Sequence, residues 1–322
     1  MNDVNKIAQE QGTDLGENGL RIGLALGSGG ARGWAHIGVI RELQKTGIHP
    51  EIVCGTSIGS LVGAAHLGGA LPELTDWAVN LSRLGMLRYL DIRMLGGGFI
   101  AGRKLQDLLS DVLAGRQIED LEQRFIAVAT DLATGHEVWI RKGLLAEAAW
   151  ASFALPGIFP PVIRNEQLLV DGALVNPIPV SACRALGARL VIAVNLNADM
   201  LGSERAQLAK IAEGQKDNGN SLPGGFPSVF PGAFGAGMLD SLFRRDGTPS
   251  MFNVMASALN ILQDRLGRSR LAGDPPDVTI APQVGHIGLL DFDCAEELIK
   301  LGEEAVERSL PVLEEALTVL QP

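Results

Sequence analysis

Ile52-Val53-Cys54-Gly55-Thr56-Ser57-Ile58-Gly59 passes from an apolar triplet through two glycines into small and apolar residues that continue to Leu67. That layout is a strand, a sharp turn and a helix, with Ser57 at the apex. Gly55 and Gly59 let the backbone fold tightly, and the serine oxygen then projects at the positive end of the helix, as in a nucleophile elbow. The five-residue pattern by itself is weak, because this chain has 40 glycines in 322 residues, about 12% against an average near 7%. The strand before it and the helix after it make Ser57 a candidate nucleophile.

Working outward, strands alternate with helices. Arg21 to Leu26 is an apolar strand that breaks at Gly27-Ser28-Gly29-Gly30, and Trp34 to Lys45 has helical spacing closed by Gly47. Helical patterns follow around Pro72 to Leu84 and Lys104 to Leu113. Phe125 to Thr130 and Glu137 to Ile140 read as a hairpin, Leu145 to Ala154 as a helix, and Leu168 to Val170 as a short strand. Leu190 to Leu196 is a continuous apolar run of the kind buried on both faces. A last helix from Cys294 to Leu320 is expected to break near Pro311. This order predicts an α/β fold of three layers, α/β/α, with a mainly parallel central sheet.

The expected organisation is a polar tail over 1–20, then one domain over 21–322 with a Gly/Pro-rich insertion at about 199–249. The tail carries Asp3, Glu10, Asp14 and Glu17 and lacks the basic start and apolar run of a signal peptide. The insertion holds scattered large residues such as Phe226, Phe230 and Phe234. It reads either as a variable surface segment or as a lid that docks on lipid. Met255, Leu259 and Leu262 recur at helical spacing and read as core, with an assembly surface as the alternative.

Composition excludes several classes of function. A net charge of −10 argues against nucleic acid and against polybasic anchoring to anionic lipid. No stretch reaches the roughly 18 apolar residues of a membrane span. Cys54, Cys183 and Cys294 are odd in number and far apart, which suits reduced buried thiols. No His-x-x-x-His or Cys-x-x-Cys pair is present, so no metal is expected; no other cofactor is expected either.

Two further elements carry chemistry. The turn Gly27-Ser28-Gly29-Gly30-Ala31-Arg32-Gly33 lies between a strand and a helix and exposes backbone N–H groups to an anion. It does not end in Gly-Lys-Ser/Thr, and its best dinucleotide register begins with serine. An oxyanion hole built on N–H groups near Gly29 and Gly30 is the remaining use. Arg32 reads as a brace of this loop, as added positive charge there, or as an exposed arginine at a helix start. Asp171-Gly172-Ala173 follows the strand Leu168 to Val170, and a carboxylate at a strand end is well placed for chemistry in open α/β sheets.

Taken together, the Gly-rich loop, Gly55-x-Ser57-x-Gly59 and Asp171-Gly172-Ala173 resemble the patatin-like phospholipases, closest to the short bacterial single-domain members. The block Ala151-Ser152-Phe153-Ala154-Leu155-Pro156-Gly157-Ile158-Phe159-Pro160-Pro161 resembles the proline segment ahead of that family's aspartate. Ser28 departs from the glycine that usually opens the family's loop. The resemblance implies a patatin-like fold and a Ser57–Asp171 dyad, with Gly29, Gly30, Ala31 and Arg32 at the oxyanion hole. Gly55 and Gly59 would shape the elbow, and Gly172 and Ala173 would follow the proton acceptor. His286, in Val284-Gly285-His286-Ile287-Gly288, is the one histidine downstream of Asp171 that a triad would use. His36 and His66 read as packing or surface residues. A base with an ordinary aspartate pKa is weak, so Asp171 is expected to be partly desolvated and raised.

The implied activity is serine lipid acyl hydrolysis of the phospholipase A or lysophospholipase type. The alternatives are a thioesterase or soluble-ester esterase on the same site, or a regulatory protein on an inactive hydrolase fold. The implied partner is a lipid or acyl ester, with no nucleic acid. The expected location is cytoplasmic, with contact at the inner membrane face and oligomerisation left open.

Overall fold

The computed structural model describes residues 21–81, 103–113, 115–199 and 251–320. The tail expected over 1–20 and the body of the 199–249 insertion lie outside them, and so does its reading as a lid. Among the described residues, eight strands form one sheet: β1 (Ile22–Leu26), β2 (Ile52–Thr56), β3 (Arg124–Asp131), β4 (Glu137–Ile140), β5 (Val162–Arg164), β6 (Gln167–Asp171), β7 (Leu190–Val194) and β8 (Val278–Ile280). The run β3-β2-β1-β7-β8 is parallel throughout. The helices are α1 (Ala35–Lys45), α2 (Ile58–Leu67), α3 (Leu71–Val79), α4 (Arg103–Leu113), α5 (Leu145–Phe153), α6 (Val180–Ala185), α7 (Met251–Gly273) and α8 (Ala295–Leu320).

Side chains alternate across the sheet and separate two cores. Leu24 and Leu26 of β1, Val53 of β2 and Ile192 of β7 face a layer that contains Ile37 of α1, Leu61 of α2, Trp150 of α5 and Leu298 of α8. Ala25, Ile52, Cys54 and Val191 point the other way, onto Val180, Ala182 and Cys183 of α6. Burial on both faces explains why these strands read as continuous apolar runs instead of alternating ones. The result is a three-layer α/β/α fold. No helix among the described residues is long and apolar enough to cross a membrane.

β3 decides where the site forms. Its Val128 pairs with both Thr56 of β2 and Trp139 of β4, and its Ala129 pairs with both Val138 of β4 and Asp171 of β6. A strand has two edges, so β2 and β6 share one of them end to end. β2 runs parallel to β3 and β6 antiparallel, so the carboxyl ends of β2 and β6 meet. Ser57 follows one end, and Asp171 is the other. The strand that carries the aspartate is therefore an antiparallel one, which the short motif at its end does not reveal.

Three details differ from the sequence reading. β5 pairs with β6 in a hairpin that is hard to anticipate. Its turn residues Asn165 and Glu166 have φ of 47° and 63°, the positive values a two-residue hairpin turn needs. α8 continues through Pro311. Pro311 is exposed, so water can satisfy the carbonyl that loses its N–H partner. On α7, Leu262 is 61% exposed, whereas Asn260, Gln263 and Asp264 are buried. Of the stripe read as core, Leu262 faces outward and Leu259 is half-buried, because the inward face of α7 there meets polar groups at the end of β7; the Met255 side chain lies outside the described residues.

Candidate active site

Ser57 sits between β2 and α2 at φ 57° and ψ −124°, a region that costs a non-glycine residue about 1–3 kcal/mol. The two elbow glycines make this turn sterically possible. A Cβ on Gly55 would strike the backbone of Ser60, and one on Gly59 would strike the Leu26 carbonyl. The strained residue is held by its main chain. Its N–H donates to Ser152 Oγ at 2.9 Å, and Ser152 Oγ–H in turn donates to the Val128 carbonyl at 2.5 Å. Its carbonyl accepts from the N–H groups of Ser60 and Leu61. Thr56 Oγ1 donates to the Asn176 carbonyl at 2.8 Å.

Asp171 is pinned just as closely. Its N–H donates to the Ala154 carbonyl at 3.0 Å, and its carbonyl accepts from Thr130 Oγ1 at 2.8 Å. Oδ1 accepts the Ala173 N–H at 2.8 Å, which leaves Oδ2 for Ser57 Oγ–H at 2.5 Å. The carboxyl is 1% exposed. Loss of solvent pushes its pKa up to about 7, against the pull of the bonds from Ser57 and Ala173 that favour the ionised form. The block Ala151 to Pro161 thus acts through two members: Ser152 holds the serine, and Ala154 holds the aspartate. Ser152→Ala would strand the buried Ser57 N–H and Val128 carbonyl together. The expected loss of stability is about 1–3 kcal/mol, read as a lower urea midpoint at unchanged slope.

The Gly-rich turn packs on the first turn of α2, with Gly59 against the Leu26 and Gly27 carbonyls and Gly33 against Ile58. Of the four residues expected at an oxyanion hole, two have their N–H groups occupied. Ala31 donates to the Leu289 carbonyl at 2.8 Å, and Arg32 donates to the Gly29 carbonyl at 3.2 Å. The N–H groups of Gly29 and Gly30 meet no acceptor among the described residues. Ser28, the departure from the family pattern, is fully used: its N–H donates to the Pro177 carbonyl and its hydroxyl to Gln263 Oε1 at 3.1 Å.

Arg32 is a brace and not an exposed arginine. It is 2% exposed, with Nε on the Ile287 carbonyl at 2.7 Å and Nη1 on Asn197 Oδ1 at 3.2 Å. His36 is also structural here. Its Nε2–H donates to the Gly27 carbonyl at 2.7 Å, and burial pushes its pKa down to about 4, so it stays neutral near pH 7. His286 lies away from this cluster in bonding terms: it is exposed and faces Glu297 Oε1 at 2.8 Å. Its segment serves the loop through the main-chain carbonyls of Ile287 and Leu289. Sequence reasoning had no means of finding the roles of Ser152, Thr130 or these carbonyls, because each acts from a distant element through only one or two hydrogen bonds.

Known proteins resemble the chain as follows. A family model described as Patatin-like phospholipase matches residues 24–184. The uncharacterized NTE family protein Rv1063c of Mycobacterium tuberculosis is 33% identical over 341 residues, covering 93% of this chain and 94% of that protein. The patatin-like phospholipase domain-containing protein ZK370.4 of Caenorhabditis elegans is 37% identical over 187 residues, covering 55% of this chain and 14% of that protein. Among solved structures, the human GIVD cytosolic phospholipase A2 is similar at a TM-score of 0.45 and 15% identity, covering 99% of this chain and 63% of that one.

Proposed function

Because the chain belongs to the patatin-like phospholipase family, we propose that it is a serine lipid acyl hydrolase of the phospholipase A or lysophospholipase type, working with a Ser57–Asp171 dyad. The observation that carries this reading is the 2.5 Å hydrogen bond from Ser57 Oγ to a buried Asp171 Oδ2 whose other oxygen is already occupied. Ser57 Oγ attacks the acyl carbonyl while its proton passes to Asp171. The carbonyl oxygen gathers negative charge and accepts from the free N–H groups of Gly29 and Gly30, each typically worth ~10²–10³ in rate. The carbonyl re-forms, the alcohol or lysolipid leaves with the proton from Asp171, and water repeats the sequence on the acyl-enzyme. Contact with a lipid surface follows from this substrate class.

A raised Asp171 pKa makes the base useful, since a general base works best when its pKa lies near the working pH. The reaction needs the ionised carboxylate, so kcat/KM on a soluble short-chain ester should rise tenfold per pH unit below about pH 7 and level off above it. A limb centred near pH 4 instead would remove the desolvated base. Hydrolysis of phospholipid vesicles, lysophospholipid and an acyl-thioester, compared side by side, tests the substrate class. Turnover of the thioester alone would replace the lipid reading with a thioesterase.

A further inference from the structure

A pocket lies behind the Gly-rich loop, at the carboxyl end of β7 and under the inward face of α7. Its volume is about 140 Å³, well below the roughly 300–1,000 Å³ of sites that enclose a whole small molecule. It is sized for one polar group. Its wall carries three carboxamides, Asn195, Asn197 and Gln263, and their oxygens are all engaged. Asn195 Oδ1 accepts the Asn197 N–H at 2.9 Å, Asn197 Oδ1 accepts from Arg32, and Gln263 Oε1 accepts from Ser28. A backbone N–H and a guanidinium can only donate, so they fix which end of Asn195 and Asn197 is nitrogen, and Gln263 is placed with its oxygen toward the Ser28 hydroxyl. Asn195 Nδ2, Asn197 Nδ2 and Gln263 Nε2 have no acceptor among the described residues, although Asn197 and Gln263 are each 4% exposed. The one carboxylate on the wall, Asp264, has both oxygens covered by Arg268 Nε at 2.9 and 3.0 Å, which leaves the far end of that guanidinium uncommitted.

The space is not forced by packing. Gly267 lies mid-helix on the same wall, where glycine costs about 1 kcal/mol against alanine. A Cβ there would meet only Ile178 Cδ1, at 3.8 Å, so a methyl group would fit. The pocket therefore offers several N–H donors, a guanidinium, and no competing free carboxylate, the complement of a tetrahedral oxyanion that only accepts hydrogen bonds. We propose that this pocket is a phosphoryl-binding subsite that takes the phosphodiester of the lipid headgroup. Its Gln263 bonds Ser28, the neighbour of Gly29 in the loop, so a headgroup held here would lie beside the loop that carries Gly29 and Gly30. The source of the phosphate rests on the lipid-hydrolase reading; the donor chemistry of the pocket does not.

The test is calorimetric titration of full-length Ser57→Ala protein with glycerophosphocholine, inorganic phosphate and glycerol. Glycerophosphocholine should bind at least tenfold more tightly than inorganic phosphate, and glycerol should not bind. Asn195→Asp and Gln263→Glu each keep the bonded oxygen and turn one free donor into an acceptor, so each should weaken glycerophosphocholine at least tenfold at an unchanged thermal midpoint. Where either variant fails to fold, Arg268→Gln carries the same expectation. Inorganic phosphate binding as tightly as the phosphodiester would overturn the headgroup assignment in favour of a free oxyanion. No binding, or folded variants that bind as well as the parent, would overturn the subsite itself. Failure of the hydrolase reading would register separately, as wild-type protein that binds the phosphodiester yet resists a fluorophosphonate.

Discussion

Ser57→Ala should abolish covalent labelling by a fluorophosphonate and lower kcat on any ester the wild type hydrolyses by about 10⁴-fold or more, the scale on which nucleophile deletions act. The change removes one atom, Oγ, and leaves the main-chain clamps of Ser152, Ser60 and Leu61 in place. Alanine has the same Cβ as serine, so the strain at φ 57° is unchanged, and the fold should survive with its thermal midpoint little altered. Ser60 supplies the internal control. It is fully buried three residues further on, and its hydroxyl has no partner. Ser60→Ala should label at the wild-type rate. Labelling that persists in Ser57→Ala would assign the nucleophile elsewhere. Wild-type protein that does not label at all would revive a regulatory role on an inactive hydrolase fold.

What the sequence disclosed depends on how local each feature is. The elbow was legible because glycine, serine, the preceding apolar run and the following helix are contiguous, and the structure folds them as one strand-turn-helix unit. The two-sided burial of β7 was legible from its unbroken apolar run. The direction of β6 was not, because antiparallel pairing with β3 is decided by a partner about 40 residues away. The same limit hid Ser152, which looks like one small residue in a helix until Val128 and Ser57 are brought to either side of it. The polar inward face of α7 misled the periodicity argument for a different reason. Apolar spacing identifies the buried face only where the neighbours are apolar, and here the neighbours are Ser28 and the end of β7. The loop sequence pointed to Gly29 and Gly30 as the oxyanion donors; what it could not show is that the N–H groups of Ala31 and Arg32 are consumed by the carbonyls of Leu289 and Gly29.

Asp171→Asn should separate activity from stability. Asparagine is nearly isosteric but takes no proton, so kcat should fall by about 10²–10⁴, the usual contribution of a general base. Stability should move the other way. In the fold the Asp171 carboxyl titrates near 7, raised from 3.8 by burial. Between those values the unfolded chain has released its proton while the native state still holds it. The native protein therefore loses about 1.4 kcal/mol per pH unit across that interval, about 4 kcal/mol in all. Below pH 4 both states are protonated and the term vanishes; above pH 7 both are ionised and it is constant. An asparagine pays none of this, so the variant should melt above the wild type at pH 8, with the gap closing as the pH approaches 4. Differential scanning calorimetry of both proteins at pH 5 and pH 8 reads the effect directly. A gap that does not widen with pH would mean that Asp171 is not held in its protonated form by burial. Substantial activity in the variant would mean that the Ser57 proton has another destination, and His286→Ala in the same background would then identify or eliminate the first alternative.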